Sequence, residues 1–309
     1  MNIVAPNAEA RAIIERALDP RGYAEMARNE AEIWGRAATD PERLQIVKQE
    51  QDAAHVISLN EGRFSFVQWC KQNKRIFKRG LSIGCGGGRA ERRFEELGIC
   101  QSFHGVDIAP DAIEEARRLA PHFSYEVADI NFVDFGSEQY DLVIAQTSLH
   151  HLVNLEGVFG AIREALLPGG IFWMLDYIGE SQFQYTDSRL AIVNDVLGSL
   201  PEHFRKNRLT KRMIGPITRP TPGRIASPFE SIRSGEIMPI AKDALELIDG
   251  FASSSILHLV IPMGTRSAYA ESEVGIALAH MIRRYDQSLI DAGTLEGTAG
   301  GYVFRRPTS

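Results

Sequence analysis

The chain reads Leu81-Ser82-Ile83-Gly84-Cys85-Gly86-Gly87-Gly88-Arg89 where a short apolar run gives way to a helical stretch. Glycine is needed where a backbone turns tightly and approaches a ligand, and the N-terminus of the following helix offers free N–H groups to an anion. Asp107 ends the next apolar run, where a carboxylate meets ribose hydroxyls in nucleotide-binding folds. The loop and the carboxylate together predict a nucleoside-ligand site, with a glycine-rich turn that binds nothing as the alternative.

Short apolar runs alternate with helical stretches from residue 81 onward. The predicted strands are Leu81–Ile83, Phe103–Asp107, Ser124–Val127, Asp141–Ala145 and Ile171–Asp176. The predicted helices between them are Arg89–Leu97, Asp111–Leu119 and Leu155–Leu167. This alternation indicates right-handed βαβ units and a parallel sheet covered on both faces, and therefore a doubly wound α/β domain.

The rest of the chain divides into segments around this core. We expect a helical N-terminal cap over residues 1–70, the core over 71–179, an inserted lid over 180–242 and a C-terminal completion of the sheet over 243–309. In the cap, one helical stripe holds Ile13, Ile14, Ala17 and Leu18, a second stretch runs from Tyr23 to Trp34, and a helix starts at Asp40-Pro41. Later elements are a helix over Asp187–Leu200, strands near Leu245–Ile248 and over Gly301–Arg305, and a helix over Ser272–Leu289 that aligns Val274, Leu278, Met281, Tyr285 and Leu289.

The composition is that of an ordinary globular chain, with 44% apolar and 24% charged residues. The 40 acidic residues outnumber the 34 Lys and Arg, and this net charge of −6 argues against a nucleic-acid partner. Three cysteines without CxxC spacing argue against a disulfide framework and a structural zinc site. No signal-peptide pattern and no membrane-length apolar stretch is found. We therefore expect a cytoplasmic protein without a membrane partner.

The spacing of Gly84, Gly86 and Gly88 resembles the glycine loop of class I S-adenosylmethionine-dependent methyltransferases. A dinucleotide fingerprint would instead need a glycine at the position of Arg89. Four more segments continue the resemblance in order, namely Gly105–Ala109, Ala128–Ile130, Tyr140–Leu152 and Leu166–Gly170. The resemblance covers Leu81 to Tyr177 and implies a Rossmann-like, seven-stranded, mostly parallel sheet with an antiparallel last strand.

The resemblance also implies the cofactor, S-adenosyl-L-methionine, and the residues that bind it. Asp107 would bind the ribose, Asp129 the adenine amine, and Ile130 would pack on the ring. The full implied set is Gly84, Cys85, Gly86, Gly88, Asp107, Ile108, Asp129, Ile130, Gln146 and Thr147. One departure is visible, because many members carry an acidic residue where this chain has Ser82.

His150 and His151 follow the fourth strand at the sheet edge where ligands collect. An alcohol acceptor must lose a proton, and histidine suits that role near neutral pH. Adjacent residues point in different directions, so we expect one of the two, His151, to face the acceptor; the alternative is that the pair only orients backbone and cofactor. Tyr177, which leaves strand five at the same edge, is a third candidate for a residue of the acceptor pocket. The alternative is a tyrosine that only packs in the core. Some quinone-ring methyltransferases hold a metal here with acidic residues, but the matching positions are Thr147 and His150, so we expect no metal.

We expect methyl transfer from S-adenosylmethionine to a hydroxyl of a small molecule. The blocks Asp176–Asp187 and Ser231–Ile237 resemble a bacterial subgroup associated with sugar, surface-polysaccharide or natural-product tailoring. Two alternatives stay open: a cofactor-binding protein without transfer activity, and a nicotinamide-dependent oxidoreductase.

A basic cluster follows the insertion helix and consists of Arg205, Lys206, Arg208, Lys211 and Arg212. One interpretation is a solvated face that balances nearby acids. The other is a surface that attracts a phosphorylated or nucleotide-linked acceptor.

Overall fold

The structure is a computed structural model that describes residue 15, residues 19–222 and residues 227–308. The predicted stripe of Ile13, Ile14, Ala17 and Leu18 lies outside the described residues, as do residues 223–226 of the insertion.

A seven-stranded sheet forms the centre of the described chain. Its strands are β1 (Gly80–Ile83), β2 (Phe103–Asp107), β3 (Ser124–Val127), β4 (Tyr140–Gln146), β5 (Leu166–Tyr177), β8 (Glu246–Ser253) and β9 (Ala299–Arg305), and a small hairpin supplies β6 (Lys206–Asn207) and β7 (Arg212–Met213). The order across the sheet is β3-β2-β1-β4-β5-β9-β8. Strands β1 to β5 are parallel, and β9 is antiparallel to both of its neighbours. The predicted Rossmann-like sheet with an antiparallel last strand is confirmed.

Helices cover both faces of this sheet, because its central strands are apolar on both sides. On β5, Phe172 belongs to one core and the next residue, Trp173, to the other. The first core includes α6 (Leu155–Ala165) and α9 (Ile237–Ala244). The second includes α3 (Phe66–Gln72), α4 (Arg89–Glu96) and α5 (Pro110–Leu119). The positions of α4, α5 and α6 confirm the helices expected between the strands.

Two long helices precede the core, α1 (Pro20–Thr39) and α2 (Pro41–Val56). The Asp40 side chain accepts hydrogen bonds from the backbone N–H groups of Glu42 and Arg43, which confirms the predicted helix start. The α2 carboxylate of Glu50 is fully buried and accepts a hydrogen bond from the N–H of Arg266 at 2.6 Å. This bond attaches α2 to the first residue of a short helix later in the chain, Arg266–Ala270.

A third core joins parts that are distant in the sequence. It contains the end of α2, the insertion helix α7 (Asp187–Ser199), the short helices α8 (Glu202–Arg205), α10 (Leu257–Val260) and α11 (Arg266–Ala270), and α12 (Glu273–Asp291). Residues 254–298, between β8 and β9, therefore pack on the insertion rather than in the sheet. Within residues 243–309, which were expected to complete the sheet, the strands that join the sheet are β8 and β9.

The helix α12 is confirmed, but only Leu278 and Leu289 of the five residues predicted to align on it pack against the core. Val274, Met281 and Tyr285 are exposed, at 74%, 61% and 43%. The buried face instead carries Gly275, Ala279, Ile282, Asp286 and Leu289. Asp286 accepts hydrogen bonds from the backbone N–H groups of Ile256 and Leu257 at 2.5 and 3.0 Å, and this polar anchor sets the rotation of the helix.

Among the helices of the described residues, none combines the length and the apolar character needed to cross a bilayer.

Candidate active site

The glycine loop lies between β1 and α4 and adopts left-handed backbone angles that favour glycine. Gly84, Gly86 and Gly88 have φ values of 68°, 50° and 72°. A Cβ on Gly84 would lie 2.3 Å from the Ser148 Cβ, so this glycine lets the exit of β4 approach the loop. A Cβ on Gly86 would meet nothing within 4 Å, so this position leaves the space above the loop open.

Asp107, the last residue of β2, holds the loop in place. Its carboxylate accepts hydrogen bonds from the N–H of Gly86 at 2.8 Å and from the N–H of Ala109 at 2.9 Å. Burial raises the pKa of Asp107 above its ordinary value, while these N–H groups act to lower it. The carboxylate thus stands at the carboxyl end of the sheet beside the glycine loop.

A cleft of about 650 Å³ opens above the carboxyl ends of β1, β2 and β4. Nine of the ten residues implied to bind the cofactor line it: Gly84, Cys85, Gly86, Asp107, Ile108, Asp129, Ile130, Gln146 and Thr147. Gly88 does not. A Cβ there would lie 2.7 Å from the Tyr125 hydroxyl, so Gly88 is required for the start of α4 rather than for ligand approach.

The N-terminal helices roof this cleft, with Glu30, Trp34, Ala37, Ala38, Arg43, Leu44, Val47 and Gln51 in its lining. From α1, the Tyr23 hydroxyl donates a hydrogen bond to Asp129 at 2.6 Å. The Asn131 side-chain amide donates to the Tyr23 hydroxyl at 2.8 Å. The cap is therefore bonded to the strand-three end of the cleft, a contact that the sequence analysis missed because Tyr23 carries no local motif.

His150 sits in a 3₁₀ turn, Leu149–His151, just after β4. Asp176 of β5 fixes this turn by accepting hydrogen bonds from the N–H groups of Ser148 and Leu149 at 3.0 and 2.8 Å. The other Asp176 oxygen lies 2.5 Å from the His150 Nδ1. Burial acts to lower the pKa of His150, but Asp176 and then Glu230 raise it to about 10.

His151 lines the cleft, whereas His150 does not. The His151 Nδ1 lies 2.9 Å from a carboxylate oxygen of Glu30, a residue of α1 that is 3% exposed. Glu30 also accepts hydrogen bonds from the Trp34 indole at 2.6 Å and the Ser227 hydroxyl at 2.5 Å. Burial acts to raise the pKa of Glu30, but His151 and these donors hold it below its ordinary value. Glu30 therefore orients the His151 ring.

Glu230, from the insertion, stands opposite both imidazoles. Its two carboxylate oxygens lie 3.5 Å from the His150 Nε2 and 3.8 Å from the His151 Nε2. No local pattern in the sequence indicates Glu30 or Glu230, because neither is near the histidines in the chain. The available signal for Glu230 is that it directly precedes the Ser231–Ile237 block.

Tyr177 does not line the cleft with His151. Its hydroxyl lies 3.5 Å from a Glu180 oxygen, and its ring packs edge-on against Phe183 and His258. Its place in an acceptor pocket stays a prediction.

A buried acid from α4 lies beside Ser82, the position where many family members have an acid. Glu91 is fully buried and lines the cleft, and neither of its oxygens has a hydrogen-bond partner of good geometry among the described residues. Burial raises the pKa of Glu91 to about 7, which the neighbouring Ser82 hydroxyl partly offsets. Glu91 therefore places a carboxyl group in the cleft close to position 82.

Comparison with known proteins agrees with this geometry. Residues 81–174 match the methyltransferase domain family. This match supports an S-adenosylmethionine-dependent methyltransferase enzyme. Its cofactor is S-adenosylmethionine, and the open space above Gly86 and the carboxylate of Asp107 fit a nucleoside ligand.

Three curated relatives match part of the chain. An uncharacterized methyltransferase of Synechocystis is 27% identical over 134 residues, which are 39% of this chain and 62% of that protein. The aklanonic acid methyltransferase of a Streptomyces species is 31% identical over 144 residues, 44% of this chain and 66% of that protein. The sterol 24-C-methyltransferase of Candida albicans is 27% identical over 173 residues, 53% of this chain and 42% of that protein. The chain spans less than two thirds of the length of each of these relatives.

Proposed function

We propose that the chain transfers the methyl group of S-adenosylmethionine to a hydroxyl of a small molecule. The observation that carries this proposal is one cleft that runs from the glycine loop to His151, with His151 held by Glu30. The bound cofactor supplies an electrophilic methyl group on its sulfonium. In the reaction, the acceptor oxygen forms a bond to the methyl carbon, the sulfur–carbon bond breaks with its electron pair going to sulfur, and the hydroxyl proton is released.

Alignment of donor and acceptor is the main task in such a direct displacement. Gln146 and Thr147 line the cleft between the glycine loop and His151, and Thr147 has a left-handed φ of 54°. The N–H of Thr147 donates to the Leu175 carbonyl at 2.7 Å, which fixes this exit from β4. We assign these two residues to the methionine part of the cofactor and the space beside His151 to the acceptor.

His151 is the residue we assign to the acceptor's proton. Glu30 occupies its Nδ1, so its Nε2 is the nitrogen left to act on the acceptor. His150 does not line the cleft, and its Nδ1 lies against Asp176, so we assign it a positioning role.

A sugar or natural product is the acceptor class we propose. The support is the subgroup resemblance of the two blocks after β5, together with the methylation of aklanonic acid by a relative that is 31% identical. The sterol relative is named for methylation at carbon, so oxygen as the accepting atom rests on His151 rather than on relatedness.

A phosphate on the acceptor would be bound by the cations of the cleft rather than by the basic cluster after α7. Arg205 donates to the Ile214 carbonyl, Arg208 to Gln49 and Lys211 to Glu42, and none of the five cluster residues lines the cleft. The lining instead includes Arg43 and Arg89, which form no ion pair within the described part of the chain. A phosphorylated or nucleotide-linked acceptor therefore stays a prediction, with these two arginines as its binding residues.

Calorimetry with S-adenosylmethionine, S-adenosylhomocysteine and NAD tests the cofactor part of this proposal. We expect one molecule of either sulfur ligand to bind and NAD not to bind. Asp107→Ala should weaken S-adenosylhomocysteine binding by about 10–100-fold, because a buried charge-assisted hydrogen bond is lost. Asp195→Ala, on the exposed side of α7, is the matched control and should bind normally. Binding of NAD in place of the sulfur ligands would refute the assignment and favour an oxidoreductase.

A further inference from the structure

We propose that His150, His151 and Glu230 bind a divalent transition-metal cation at the acceptor end of the cleft. One ligand atom from each of the three side chains lies within 4.8 Å of the other two. The sequence alone predicts no metal here, because Glu230 comes from the insertion and reaches the histidine pair only in the folded chain.

The spacing of the three groups fits an ion better than it fits direct hydrogen bonds. Charge-assisted N–H···O bonds are about 2.7–2.9 Å long. The Glu230 oxygens instead stand 3.5 and 3.8 Å from the two Nε2 atoms. Two ligand atoms that are each about 2.1 Å from a tetrahedral ion lie about 3.4 Å apart.

The groups behind the two imidazoles are those that usually orient metal-binding histidines. Ligating histidines almost always pair their second nitrogen with a carboxylate, a carbonyl or a water. Here the Nδ1 of His150 is 2.5 Å from Asp176, and the Nδ1 of His151 is 2.9 Å from Glu30. Both Nε2 atoms therefore point to the same side, where Glu230 stands.

The charges around this cluster also favour a cation. Asp176 and Glu30 are 2% and 3% exposed, and Glu230 is partly buried. None of these three carboxylates forms an ion pair with a Lys or Arg among the residues that the structure describes. A divalent cation on the two imidazoles would supply positive charge to these carboxylates in place of a proton on His150.

Two imidazoles and one carboxylate favour zinc, iron(II) or manganese(II) over magnesium or calcium, which prefer oxygen ligands only. His151 lines the cleft, so an ion bound to its ring would lie close to the space assigned to the acceptor. This role rests on the proposed function and replaces His151 as the base, because its Nε2 would bind the ion. The cation would lower the pKa of the acceptor hydroxyl, so that its proton leaves to solvent water and the oxygen attacks the methyl carbon.

The test uses the chelator-treated chain without cofactor or acceptor. It is titrated with Mn²⁺, with binding measured by electron paramagnetic resonance, and separately with Zn²⁺, with binding measured by calorimetry. We expect one ion per chain, with at least about 100-fold weaker binding in Glu230→Gln and about 10–100-fold weaker binding in Glu30→Gln. Glu271→Gln, an exposed position, is the matched control and should bind as the unmodified chain does.

The outcomes separate this proposal from the proposed function. Absence of binding at millimolar metal, or equal binding by Glu230→Gln, overturns the metal site while S-adenosylhomocysteine binding and methyl transfer stand. Metal binding without any methyl transfer overturns the proposed function and leaves the metal site. Circular dichroism of each variant checks that it is folded, and Glu30→Gln provides the test if Glu230→Gln does not fold.

Discussion

Replacing His151 with alanine lowers the turnover number by about 10²–10⁴, whereas the affinity for S-adenosylhomocysteine changes by no more than about twofold. The large loss is expected because His151 is the histidine of the pair that lines the cleft, and Glu30 holds its ring by the Nδ1. The small change in affinity is expected because the glycine loop and Asp107, at the other end of the cleft, are untouched.

Steady-state kinetics with a responsive acceptor, together with calorimetry, measure this effect. His203→Ala, at an exposed position of α8, is the matched control and should retain full turnover. A loss below about tenfold would mean that the histidine only positions its neighbours. Glu230→Gln distinguishes two roles of the His151 ring. If the ring is a metal ligand, Glu230→Gln should lower the turnover number nearly as much as His151→Ala does. If the ring is a free base, the loss of turnover should be much smaller.

Glu91→Gln stabilises the protein at pH 8 by about 3 kcal/mol, but not below pH 4.5. Glu91 is fully buried and its pKa is raised from 4.5 to about 7. A carboxyl group whose pKa is higher in the folded chain contributes its stability below the unfolded pKa, and that contribution is lost as the pH rises through 7. Glutamine resembles the protonated acid and does not titrate, so the variant escapes this loss.

Urea unfolding of both proteins between pH 5 and pH 8 measures the effect. The free energies of unfolding should diverge as the pH rises to about 7 and then stay a constant distance apart, with the variant the more stable. Glu114→Gln, exposed on α5, is the matched control and should follow the unmodified protein. Parallel curves for Glu91→Gln and the unmodified protein would show that Glu91 keeps an ordinary pKa.

Local patterns in the sequence were sufficient to predict the sheet and the cofactor side of the cleft. The apolar runs that became β1 to β5 are short and bounded, and Gly84 and Asp107 act at the ends of their own strands. Such features depend on neighbours in the chain, so a pattern of residues reports them directly.

The acceptor side depends on contacts between distant segments, which no local pattern reports. Glu30 and Glu230 reach the histidine pair from α1 and from the insertion. On α12, Asp286 accepts buried hydrogen bonds and is on the inward face, whereas the apolar Val274 and Met281 are exposed, so apolar spacing alone did not predict the buried face. Buried hydrogen bonds and contacts between distant segments therefore determine where Glu30 and Glu230 lie and which face of α12 is buried.

Transfer of label from S-adenosylmethionine carrying a ¹³C-methyl group to a panel of hydroxyl-bearing sugars and natural products tests the central claim most directly. We expect a ¹³C-methoxy signal on one acceptor class, with one equivalent of S-adenosylhomocysteine formed for each ¹³C-methyl group transferred. Tight cofactor binding with all label retained on S-adenosylmethionine across the panel, or label found on carbon or nitrogen instead, would contradict it.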